Sequence, residues 1–70
     1  MDERAKLLSV IKARAIRSLE RSPGHVVAAE LMSEFEENNI YQADSFVFEI
    51  LKHALFGGVK VDAKFIEGFN

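Results

Sequence analysis

The chain contains no cysteine and no threonine, and its only proline is Pro23. Without cysteine there is no disulfide framework, a composition that fits a reducing cytoplasm. The remaining hydroxyl nucleophiles are serines at helix ends, loops or helix surfaces, and none lies in a nucleophile-elbow context. The two histidines, His25 and His53, lack ligand spacing such as His-x-x-x-His. Gly57-Gly58 belongs to no phosphate-binding pattern. The EF-hand pattern of alternating oxygen ligands is also missing. No apolar run approaches the roughly 18 residues that a membrane helix needs. The opening MDERAKLLSV begins acidic and is interrupted by charge, unlike a secretory or transit peptide. The expectation is therefore a cytoplasmic protein with no enzymatic activity, cofactor, metal, small-molecule substrate or membrane partner.

What is present argues for a folded core. The 70 residues are 49% hydrophobic and 10% aromatic, with six phenylalanines. That is one domain, residues 1–70. A chain of this size buries only about 60% of the surface that its unfolded form exposes. Small domains commonly gain stability from a disulfide, a metal or oligomerisation, and disulfides are excluded here.

Charge is unevenly placed. Residues 1–21 hold six basic and three acidic side chains, net +3, whereas residues 22–70 hold three basic and eight acidic, net −5. Within the basic segment Ala5, Leu8, Ile11, Ala15, Ile16 and Leu19 recur at helical spacing. The pattern predicts a first helix from Asp2, its N-cap, to Arg21. Lys6, Arg14, Arg17 and Arg21 form a basic stripe on the other side, with Val10 inside it.

Ser22-Pro23-Gly24 ends that helix and starts the next, with Ser22 as N-cap and Pro23 at the first helical position. Val27, Ala28, Leu31, Met32 and Phe35 make its apolar face, and the helix should run to Glu37. The C-terminal acids Glu34, Glu36 and Glu37 oppose the helix dipole and call for positive compensation. Asn39 suits a left-handed C-cap, with Ile40 and Tyr41 in the loop beyond.

The most apolar stretch, Ser45–Phe56, reads as a third helix capped by Asp44, with Phe46, Val47, Phe48, Ile50, Leu51, Ala54 and Leu55 on its apolar surface. Glu49, Lys52, His53 and Phe56 are left for a narrow outer stripe. A helix so apolar is expected to be buried on most sides and to organise the rest of the chain. Gly57-Gly58 stops it. The tail from Val59 to Asn70 has two readings, a hairpin turning at Asp62-Ala63 or a short fourth helix capped by Asp62. The helix is favoured, because Asp-Ala lacks the Asn-Gly or Asp-Gly chemistry of a tight hairpin. The fold class is thus all-α, a small three-helix domain with a short C-terminal helix or hairpin.

Three constellations compete for function. Glu30, Glu34 and Glu37 line one helix face, but carboxylates on one straight helix cannot surround an ion, and a solvated face or a basic partner explains them. Lys6, Arg14, Arg17 and Arg21 form a solvated helix face, meet an acidic protein surface, including the Glu-rich second helix of the same chain, or track phosphates. Helices one and two leave part of Phe46, Phe48 and Phe56 uncovered, so either the tail folds back with Phe65, Ile66 and Phe69 or a second subunit covers the gap; Phe46, Phe48, Phe56, Phe65 and Phe69 are the expected protein-contact residues.

Helices two and three, followed by Gly-Gly and Val59-Lys60-Val61, resemble a winged helix-turn-helix over about residues 25–66. That resemblance implies a third helix inserted in a DNA groove. Yet this helix offers Phe46, Val47, Phe48, Ile50 and Leu51, with Lys52 its only basic side chain among them, so a protein-binding version fits better. The expected function is a non-enzymatic protein-interaction module (an adaptor, inhibitor or regulator), homodimeric through the Phe-rich surface. The second expectation is a small DNA-binding regulator using the basic stripe of helix one.

Overall fold

The computed structural model describes residues 2–70. Four helices form among them, with no strand: α1 (Glu3–Ser18), α2 (Gly24–Glu37), α3 (Phe46–Leu55) and α4 (Ala63–Glu67). The fold is all-α, as expected, and the tail adopts the helical alternative.

α1 begins where the Asp2 carboxylate accepts a hydrogen bond from the Arg4 amide at 3.0 Å. This satisfies one of the amide donors that every helix start leaves free. The helix stops three residues before the expected Arg21. No glycine stands ready to cap it, so the chain tightens into a turn. There the Glu20 amide donates to the Arg17 carbonyl and the Arg21 amide to the Ser18 carbonyl, the tighter i to i+3 pattern common at helix ends.

α2 starts one residue later than the sequence pattern implies. Pro23 is itself the N-cap and makes no side-chain capping bond, so Ser22 is not the cap. Gly24 then occupies the first helical position. A Cβ there would lie 2.8 Å from the Val61 Cβ, so only glycine lets the connection before α4 approach this closely. The C-terminus follows expectation. Asn39 adopts a left-handed φ of 56°. The Ile40 amide donates to the Phe35 carbonyl at 2.9 Å and the Asn39 amide to the Glu36 carbonyl at 3.1 Å, a Schellman motif with asparagine in the position usually held by glycine. The motif turns Ile40 inward, where it is buried.

α3 is capped by Ser45, one residue after the expected Asp44, with its hydroxyl facing the Phe48 amide. It closes with a second Schellman motif. Gly57 has φ 86°, and the Gly58 amide reaches the His53 carbonyl at 2.8 Å. α4 begins where the Asp62 carboxylate accepts from the Phe65 amide at 2.9 Å.

The expectation that α3 organises the molecule is corrected by the packing. α2 is the central element. It packs against both α1 and α3, α1 also packs against α4, and among the described residues the backbones of α1 and α3 do not approach one another closely. Val27, Ala28, Leu31 and Phe35 of α2 are all fully buried. α3 buries only the face formed by Phe48, Leu51 and Ala54, with Val47 and Ile50 at its margins. The buried residues of α2 lie on one face and join residues of α1 and α3 in a single core, while Phe46 and Phe56 on the other side of α3 stay exposed.

The tail closes the core from the other direction. Phe69 packs edge-on against Phe35 with ring centroids 5.8 Å apart, and Tyr41 does the same at 5.1 Å. Phe65 meets Phe69 at 5.3 Å. These edge-to-face contacts are the favoured geometry for aromatic pairs. The radius of gyration of 11.2 Å matches the roughly 11 Å of a compact domain this long. The tail is therefore part of the core and not an appendage.

Candidate functional site

The outer face of α3 carries the clearest anomaly in the molecule. Phe46 is 77% exposed and Phe56 is 85% exposed. Leaving each ring in water forgoes about 1.5–3 kcal/mol of burial free energy. Their positions follow from helix geometry. Phe48, Leu51 and Ala54 turn toward α2, so Phe46 falls on the opposite side. Phe56 is the C-cap residue, held outside the core as the chain turns away at Gly57. On an ideal helix, ten residues place the two rings about 15 Å apart along the axis and about 80° apart around it.

Between the rings lie Glu49, Lys52 and His53, all exposed. Lys52 Nζ approaches the Glu49 carboxylate at 3.5 Å. The pair is solvent-exposed and contributes little to stability. The face is thus two aromatic rings bracketing one acidic and two basic side chains.

The other phenylalanines named as contact candidates behave differently. Phe48 is 2% exposed and Phe69 is 6% exposed; both belong to the core and cannot meet a partner from the folded state. Phe65 is half-buried and packs against that core. On α3, apolar nearly all round, spacing alone does not say which side a neighbour covers, and for Phe65 and Phe69 it does not say that the tail folds back on the core.

The basic residues are on the surface: Lys6, Arg14 and Arg17 on α1 and Arg21 in the turn after it are all exposed. Arg14 reaches across to α2, with Nη1 3.9 Å from Glu34 Oε1. Ile11, Arg14, Ser18, Arg21, Glu30 and Glu34 are among the residues lining a cleft of about 320 Å³ between the two helices. The basic and acidic faces therefore meet within one molecule at this point, which supplies part of the positive compensation that the end of α2 calls for. Among the carboxylates at 30, 34 and 37, Glu34 is half-buried and engaged, while Glu30 and Glu37 point to solvent.

Two cations outside the stripe prove to be internal anchors. Arg4 donates from Nη2 to the Ile40 carbonyl at 2.9 Å, and its guanidinium lies 5.4 Å from the centre of the Tyr41 ring. Lys12 Nζ donates to the Glu67 carbonyl at 3.0 Å and the Phe69 carbonyl at 2.6 Å. Both lie within the apolar face of α1, on the side of the helix away from the stripe. That offset is the signal which distinguishes them from the stripe in the sequence.

The winged-helix resemblance ends at the wing. Val59–Val61 forms no strand and leads instead into the cap of α4. No helix among the described residues is long and apolar enough to cross a membrane. Comparison with known proteins finds no matching family model, no matching curated protein and no matching solved structure.

Proposed function

We propose that this domain is a non-enzymatic protein-interaction module, an adaptor or regulator, whose contact surface is the outer face of α3. One observation carries the reading: Phe46 and Phe56 stand in solvent while Phe35, Phe48 and Phe69 are buried and Phe65 packs against them. A chain able to enclose its other rings has left two on one helix. Exposed aromatic side chains are the typical anchors of protein interfaces. The cysteine-free composition fits a role in a reducing cytoplasm.

The nucleic-acid reading has less to stand on. Of the six cations in the first 21 residues, Arg4, Lys12 and Arg14 are engaged within the chain. Among the described residues Lys6, Arg17 and Arg21 are left, with no aromatic or amide side chain of the stripe to read bases.

Site-specific photocrosslinking in cells tests the choice. A benzophenone side chain placed at position 56 should give a discrete protein adduct. The same group at Ala13, exposed one turn before Arg17, should give none. A nucleic-acid adduct at position 13, with nothing at position 56, would reverse the assignment.

A further inference from the structure

The outer face of α3 has a symmetry of chemistry that identifies what it can bind. Read from its N-terminal end, the face runs aromatic, acidic, basic, aromatic: Phe46, Glu49, Lys52 with His53, then Phe56. Turned end for end about Leu51, Phe46 falls on the position of Phe56 and Glu49 on that of His53, next to Lys52. Those two rings are among the most exposed apolar groups of the molecule. The three charged or titratable side chains between them are exposed as well.

A two-fold interface brings the same patch of both subunits together, so the patch must complement itself. We infer that the occupant of this face is a second copy of the chain, docked with the two α3 helices antiparallel. Phe46 of each copy packs toward Phe56 of the other, and Glu49 of each faces Lys52 and His53 of the other. A parallel arrangement would stack Glu49 on Glu49 and Lys52 on Lys52, and like charges in contact repel. Antiparallel docking converts both clashes into ion pairs. Because the two rings are turned about 80° around the helix axis, the helices meet at an oblique crossing.

The size of the patch sets the expected strength. Four phenylalanine rings bury at most about 150–250 Å² each. The interface therefore falls among small contacts below about 1,200 Å², which are weak or transient. The dimer should form with rising concentration and dissociate on dilution. This inference rests on the assignment of the α3 face as a protein-contact surface, but it can fail without that assignment failing.

The test is a charge exchange read by sedimentation equilibrium over a wide concentration range. Glu49→Lys and Lys52→Glu are made separately, with circular dichroism and thermal melting to show that each remains folded. Each variant alone should dimerise at least tenfold more weakly than the wild type. An equimolar mixture should recover wild-type association, because both interfacial pairs are then opposite in sign. Phe46→Ser and Phe56→Ser should each abolish association. Loss in the Phe variants without recovery in the mixture would overturn the antiparallel register and leave the face assignment standing. A wild-type monomer at every concentration would overturn the second copy as occupant, and photocrosslinking at position 56 would then report a different protein. A dimer indifferent to both Phe substitutions would overturn the register and the face assignment together.

Discussion

Lys12 donates its ammonium protons to the carbonyl of Phe69, 57 residues further along the chain, at 2.6 Å. The same nitrogen holds the Glu67 carbonyl. A side chain on the first helix thereby caps the end of the last. A five-residue helix is far too short to persist by itself, so α4 depends on such outside contacts. Its others are the buried side chains of Ile66 and Phe69, and the Tyr41 hydroxyl that donates to the Asn70 carbonyl.

Replacing Lys12 by methionine keeps the aliphatic stem and removes the donor. The expected cost is about 1–2 kcal/mol for the two hydrogen bonds. It should be read as a lower urea midpoint together with faster amide hydrogen exchange at Ile66–Phe69. Unchanged exchange there would show that packing alone holds the tail.

Two glycine substitutions should be costly for different reasons. Gly24→Ala places a Cβ against Val61, and overpacking of this kind costs about 1–3 kcal/mol, partly offset by the better helix propensity of alanine. Val61→Gly in the same chain should recover much of the loss, so a double-mutant cycle would show coupling. At Gly57 a Cβ meets nothing within 4 Å, but the left-handed backbone costs a non-glycine residue about 1–2 kcal/mol. Val61→Gly should leave that loss unchanged.

Phe35 is the hub of the aromatic cluster, touching both Tyr41 and Phe69. Phe35→Ala should cost about 3–5 kcal/mol, comparable to the entire stability of a domain this small. The variant should show no cooperative thermal transition. Phe35→Leu should retain one at a lower midpoint.

Phe46→Ser and Phe56→Ser should each change monomer stability by no more than about 0.5 kcal/mol, as surface substitutions do. Phe48→Ser, two residues from Phe46, should unfold the domain. Chemical denaturation at a dilution where the protein is monomeric would separate them. A large loss at Phe46 would mean that its ring is buried within the chain.

Much of this architecture is legible in the residues. The apolar spacing of α1 and α2, Asp2 and Asp62 as caps, Asn39 in the left-handed region and Gly57 as a stop are local matters. Each follows from the backbone groups and side chains within a few positions, so the sequence itself determined that the chain is helical and where its turns fall. Errors of one to three residues, such as Ser45 in place of Asp44 or the early end of α1, arise where neighbouring residues offer nearly equal caps. What only the tertiary structure decided is which surfaces meet. In an almost wholly apolar helix, periodicity cannot choose a buried side; the position of α2 chose it, enclosing Phe48 and leaving Phe46 out. The same holds for Arg4 and Lys12, whose partners lie 36 and 57 residues away. Contacts at such separation depend on the simultaneous placement of every element between them, and no local pattern of residues encodes that placement.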